Sequence, residues 1–215
     1  MTVQFVLPQA HLQYHILHIQ LFSALAANGT GRDIVLNFAP LGATLVLWDI
    51  DEEGNKETTY LARGNGAKEA YAYRCDCSNR EGIYRMAAQV RQEVGDVTIL
   101  VNDVAVASRK YFIDTQDLDI ERTMDVNIMA HFWTCKDFLP AMIACNHGHL
   151  VSISSGAGLA GVSRMSDYAA SKFAIVGLLE TVAFELQATG NKGVKTTIVF
   201  LSVTKTQLSA GIKVM

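Results

Sequence analysis

The chain has 215 residues, 50% of them hydrophobic and 18% charged, which excludes a disordered or collagen-like polymer and suits one domain with a sizeable core. A net charge of −3 gives no footprint for nucleic acid or for an anionic membrane surface. The four cysteines, Cys75, Cys77, Cys135 and Cys145, lack paired metal spacing, Cys75-Asp-Cys77 being at most a weak ligand pair, so reduced, cytosol-facing thiols are expected.

Residues 1–18 read as a poorly ordered extension, and residues 19–215 as one domain. Pro8, three histidines and four glutamines interrupt the first 22 residues, which lack the basic start and clean apolar core of a signal peptide. The same stretch is too polar and broken for a membrane span. His11, His15 and His18 fall at helical spacing and read as a wet face rather than a metal site. Strand-like runs then follow at 19–23, 44–49, 69–74, 98–102, 149–154 and 196–200. Between them lie helix-like segments at 31–41, 51–63, 79–94, 118–146 and 167–189, with Pro140 placed to bend the fourth. Gly42, Gly64-Asn-Gly66, Gly95-Asp96 and Gly190-Asn191 punctuate the joints. Apolar strands alternating with helices predict parallel βαβ units: an α/β, Rossmann-type doubly wound sheet of about six strands. Ligands of such sheets bind at the carboxyl ends of the strands.

The most informative stretch runs from Ser155 through a glycine loop to Tyr168-Ala-Ala-Ser-Lys172. Tyr168 and Lys172 are four residues apart, hence on one face of a helix. A free tyrosine, with a pKa of about 10, relays protons poorly at neutral pH, and a nearby cation is expected to lower it. Ser155 can donate a hydrogen bond to a substrate oxygen. The set can exchange a proton with an alcohol or carbonyl while a hydride moves elsewhere.

In this order of strand, glycine loop and helix, the chain resembles the short-chain dehydrogenase/reductase family. It is most similar to the 16C branch of retinol and 17β-hydroxysteroid dehydrogenase-like enzymes. The likeness rests on Asp167-Tyr-Ala-Ala-Ser-Lys-Phe-Ala-Ile-Val-Gly177, Gly193-Val-Lys-Thr-Thr-Ile-Val199 and Met124-Asp-Val-Asn-Ile-Met-Ala-His-Phe-Trp-Thr134, and it covers about residues 19–206. The resemblance implies catalytic roles for Ser155, Tyr168 and Lys172, with Ser155 on the substrate. It also implies that Asn127 keeps a helix open for a proton-relay water. It further implies a nicotinamide cofactor, NAD with NADP as the alternative, held by Gly29, Gly31, Asp49, Asp76, Asn102, Tyr168, Lys172 and Thr206. Asp49 stands 18 residues after Gly31, where a carboxylate would bond the adenosine ribose and disfavour the extra phosphate of NADP.

Several positions depart from the family pattern. In its Thr-Gly-x-x-x-Gly-x-Gly turn, Ala24 replaces the threonine and Leu25 the first glycine; only Gly29 and Gly31 remain. The pattern Asn-Asn-Ala-Gly reads Asn102-Asp103-Val104-Ala105 here, and Leu201 stands at a proline position. Relatives are expected to continue past Met215 with a lid helix and a final strand, so a C-terminally truncated sheet with an exposed sixth strand is anticipated. Two readings follow: an oxidoreductase acting on a lipophilic alcohol or carbonyl, retinoid- or steroid-like, or an impaired or inactive paralogue that serves at most as a dimerisation or binding partner. A homodimer through the helices at 118–146 and 167–189, and a place on the cytosolic face of the endoplasmic reticulum or a lipid droplet, are implied by resemblance alone; no nucleic-acid partner is expected.

Overall fold

The computed structural model describes residues 20–24 and 26–202. The extension at 1–18 with its three histidines, Leu25 and Thr206 lie outside the described residues. Six strands are β1 (Gln20–Ala24), β2 (Thr44–Asp49), β3 (Glu69–Arg74), β4 (Ile99–Asn102), β5 (Gly148–Ser155) and β6 (Val194–Leu201). The helices are α1 (Gly29–Phe38), α2 (Glu52–Gly64), α3 (Arg80–Glu93), α4 (Asp117–Met124), α5 (Ala130–Ala144) and α6 (Ser166–Ala188).

All strand pairings are parallel, in the order β3-β2-β1-β4-β5-β6. Chain order reverses between β1 and β4, and that switch point opens a crevice at the carboxyl edge. Alternate residues of one strand face opposite sides. Val46 and Trp48 of β2, Leu100 of β4 and Leu150 of β5 pack with Ile83, Ala87 and Val90 of α3 and Phe138 and Met142 of α5. Their neighbours Leu45, Leu47, Val101, Val151 and Ile153 pack with Ile34, Val35 and Phe38 of α1. Helices therefore cover both faces, as expected for a doubly wound sheet.

The segment 118–146, expected as one helix, is divided. A π-turn at Asp125–Met129 separates α4 from α5, while Pro140 is accommodated within α5. The wide turn forms where the Asn127 side chain leaves the helix to bind outside backbone: Oδ1 accepts from Val106 N at 2.8 Å and Nδ2 donates to Val106 O at 2.9 Å. The first helix starts at Gly29, two residues earlier than expected, and its last turn tightens into a 3₁₀ turn at Ala39–Leu41.

Candidate active site

Asp49 at the end of β2, Asp103 just after β4, Ser155 at the end of β5, and Tyr168 and Lys172 on α6 line one cavity of about 910 Å³. The turn before α1 contributes Asn28, Gly29 and Thr30, and the loop after β4 contributes Ala105, Val106 and Ala107. Gly29 has φ of 55°, in the left-handed region that favours glycine. The N-cap Asn28 makes no side-chain cap to α1, and the first turn carries no acidic residue. By contrast, Asp51 and Asn79 cap α2 and α3 through Gly54 N and Gly82 N. Among the described residues the amino end of α1 thus takes no side-chain cap, and it turns its amide donors and positive dipole to the cavity, a natural anion site. Asp49 is buried, with Oδ2 accepting from Ala27 N and Oδ1 from Asp51 N, both at 2.9 Å. Each oxygen keeps capacity for a further donor such as a ribose hydroxyl.

The side that carries Ser155, Tyr168 and Lys172 is tightly built. Ser155 caps the 3₁₀ turn Gly156–Gly158 by accepting from Ala157 N at 3.2 Å. Gly158 allows the turn to approach α6: a Cβ there would stand 2.5 Å from Ser154 Oγ and 2.9 Å from Lys172 O. Ser154 Oγ donates to Lys172 O at 3.1 Å, and Lys172 Nζ donates to Ile153 O at 2.8 Å. Nζ lies 5.5 Å from the centroid of the Tyr168 ring. Burial pushes Lys172 down to about 8, with the Asp103 carboxylate opposing. Tyr168 is pushed above its ordinary value, by burial first; the Ser155 hydroxyl opposes and Asp103 adds to the rise. The expected lowering of Tyr168 by Lys172 is therefore not what this structure shows. Desolvation dominates, and the ammonium is spent on a backbone carbonyl and faces a rival anion.

Other sequence-predicted residues fall elsewhere. Asn127 is fully buried at the π-turn, where Nδ2 also donates to Ser171 Oγ at 3.0 Å, so it ties the loop after β4 to α6. Asn102 turns away from the cavity lining: its Oδ1 accepts from Thr134 Oγ1 at 3.0 Å and its Nδ2 approaches Cys135 Sγ at 3.8 Å. Gly31 is buried in α1. Asp76 is exposed and outside the cavity lining, its Oδ1 accepting from Ser78 N and Oγ.

Three residues near the site were not singled out from the sequence. Asp103, pushed up to about 7 by burial against the pull of Lys172, was visible only as a departure from Asn-Asn-Ala-Gly. Asp167, next to Tyr168, latches the cavity wall by accepting from Thr123 Oγ1 at 2.8 Å and Ser108 N at 3.2 Å. His131 is buried on α5 with neither ring nitrogen bonded among the described residues. Nothing in spacing or periodicity marks these two.

A family model described as short chain dehydrogenase matches residues 25–214. Epidermal retinol dehydrogenase 2 of Homo sapiens is 53% identical over 86% of this chain and 60% of its own length. Short-chain dehydrogenase/reductase family 16C member 6 of Bos taurus is 50% identical over 86% of this chain and 59% of its own. The chain thus spans about six-tenths of the length of these curated relatives. A crystal structure of a short-chain dehydrogenase/reductase from Burkholderia phymatum in complex with NAD superposes with a TM-score of 0.84 at 29% identity, covering 89% of this chain and 68% of that one. Sequence, sheet order and site agree, and the chain belongs to the short-chain dehydrogenase/reductase family.

Proposed function

We propose that the chain is an NAD-dependent oxidoreductase that interconverts a lipophilic alcohol and its carbonyl, retinoid- or steroid-like. The observation that carries this is the single cavity joining the uncapped amino end of α1 and Asp49 to Ser155, Tyr168 and Lys172. A bound nicotinamide would supply the hydride chemistry. The residues present fit a dinucleotide: the amides at the uncapped start of α1 suit its phosphates, and Asp49 suits the ribose hydroxyls. Gly29, Gly31, Asn102, Asp76 and Thr206 are the remaining cofactor residues that the family likeness suggests.

In alcohol oxidation Tyr168 takes the hydroxyl proton, and in carbonyl reduction it returns one. Ser155 donates a hydrogen bond to the substrate oxygen and so fixes it beside the phenol. Lys172 holds positive charge near the phenolate as it forms. Asn127 acts behind them, by fixing the loop and the start of α6. Val106, Ala107, Val162 and Met165 give the cavity an apolar wall, which supports a lipophilic substrate.

Titration of NADH into the purified chain, followed by melting temperature, tests this reading. Binding is expected, and none at millimolar cofactor would favour the inactive-paralogue alternative. Tyr168→Phe is expected to cut turnover by about 10²–10⁴-fold with cofactor affinity nearly unchanged. Asp49, followed by Ile50 and Asp51, presents negative charge where the NADP phosphate would sit. NADH is therefore expected to bind at least about tenfold more tightly than NADPH, a gap of about 1.4 kcal/mol, and Asp49→Ala to narrow it. A homodimer through α5 and α6 is supported by exposed Phe132, Phe173 and Phe184 on those helices; sedimentation as a clean monomer would rule it out.

A further inference from the structure

The loop after β4 and the segment that opens α6 meet along a seam. Val106, Ala107 and Ser108 line the cavity from one segment, and Val162, Met165 and Tyr168 from the other. Three ties cross the seam in antiparallel order. At its inner end Asn127 holds Val106 by both N–H and C=O and donates to Ser171 Oγ at 3.0 Å. In the middle, Ser108 N donates to Asp167 Oδ2 at 3.2 Å, and Thr123 Oγ1 donates to the same oxygen at 2.8 Å. At the outer end the Arg164 guanidinium lies 5.2 Å from the centroid of the Tyr111 ring.

The ties weaken outward. Asn127 is fully buried and uses both atoms of its amide. At the middle tie Ser108 Oγ and Asp167 Oδ1 are buried with no hydrogen-bond partner among the described residues. Leaving a buried polar group unsatisfied costs at least as much as one made bond returns, so the shut contact is only partly compensated. The outer tie is a cation over an exposed ring, the weakest setting for such a contact. Arg109 and Arg164, with φ of 58° and 64°, also hold left-handed backbone on the two sides of the seam. Strain of this kind persists only while neighbouring contacts enforce it. Parting the outer end hydrates both orphan groups and lets both turns relax.

We propose that the seam between residues 108–111 and 164–167 is the door by which a lipophilic substrate enters the cavity, hinged at Asn127 and held shut by Asp167. This rests on the lipophilic-substrate reading above. Parting the seam uncovers Ala107, Val162 and Met165 of the apolar wall. Phe112 and Ile113, next in the chain after Tyr111, are 72% and 89% exposed and offer such a molecule an apolar approach. Asp167 is then a positioning residue: it sets how closely the loop stands to Tyr168.

Amide hydrogen exchange on the folded chain without cofactor tests the door. Asp167→Ala is expected to speed exchange at 108–113 by about tenfold and to leave 104–107 unchanged. Asp167→Asn, which keeps an acceptor for Ser108 N and Thr123 Oγ1, is expected to stay near the parent. No change in Asp167→Ala, or equal loosening over 104–113, overturns the proposal. Should that variant not fold, Tyr111→Leu at the exposed outer tie decides by the same comparison. What passes the door is read by stopped-flow fluorescence of retinol mixed with the NADH-bound chain, in which retinol cannot be oxidised. Tyr111→Leu is expected to raise the association rate about threefold with NADH affinity unchanged, and an unaltered rate overturns the entry role. If exchange separates as expected but retinol does not bind the parent, the lipophilic-substrate reading fails and the hinged seam stands. If retinol binds and turns over while exchange is unmoved, only the door fails.

Discussion

His131 sits fully buried with both ring nitrogens unbonded among the described residues, and its folded-state value lies at about 3 against an ordinary 6.5. The unfolded chain therefore binds a proton that the native state refuses. His131's share of stability is present above pH 6.5 and is lost as pH falls through the window down to about 3. From pH 7 to pH 5 that loss is about 2 kcal/mol, or roughly 4–8 °C in a domain of this size. Asp103 works the other way: its folded value is raised, so its destabilisation grows as pH rises from the ordinary carboxylate range to about 7. His131→Leu isolates the first effect. Its melting temperature relative to the parent is expected to rise as pH drops from 7 to 5, measured by thermal scans at both values. Ser155, Tyr168 and Lys172 were legible in the sequence because their chemistry and spacing are local. Asp103 and His131 were not, since a carboxylate or imidazole reveals its partner only when strands and helices are brought together.

Among elements, the joint between β5 and α6 is the most closely fitted part of the site. Gly158 admits no Cβ without displacing Ser154 Oγ or the Lys172 carbonyl. Gly158→Ala is expected to cost about 1–3 kcal/mol by overpacking and to reduce turnover more than NADH affinity, because it shifts Lys172 and not the α1 turn. Denaturant melts beside kcat and cofactor titrations check this. The strand and helix order was readable from alternating periodicities, and boundaries agreed within about two residues. The π-turn was not, because Met124-Asp-Val-Asn-Ile-Met129 has an ordinary helical pattern. What opens it is Asn127 binding Val106, a partner 21 residues away. Asn102 shows the same limit: its residue type matched the pattern, while its direction was set by Thr134 on α5.

For the whole molecule, parallel pairing makes every long-range contact depend on a crossover, so the sheet and the cavity form together. A dinucleotide bridging the α1 turn and α6 is expected to raise the melting temperature with concentration, by about 2.7 kcal/mol at one hundred times its Kd. Among the described residues no helix is long and apolar enough to cross a membrane. The π-turn has a further consequence for which length changes the chain can tolerate. Removing one residue between 125 and 129 would regularise the helix and satisfy its local hydrogen bonds. Because a π-turn uses one residue more than an α-turn over about the same rotation, α5 would keep Ala130, Thr134, Phe138 and Met142 toward the sheet, while the tie between Asn127 and Val106 would be lost. Local helical order and the tie that Asn127 makes to Val106 and Ser171 therefore make opposite demands on that stretch, so its extra residue serves the site and not the core.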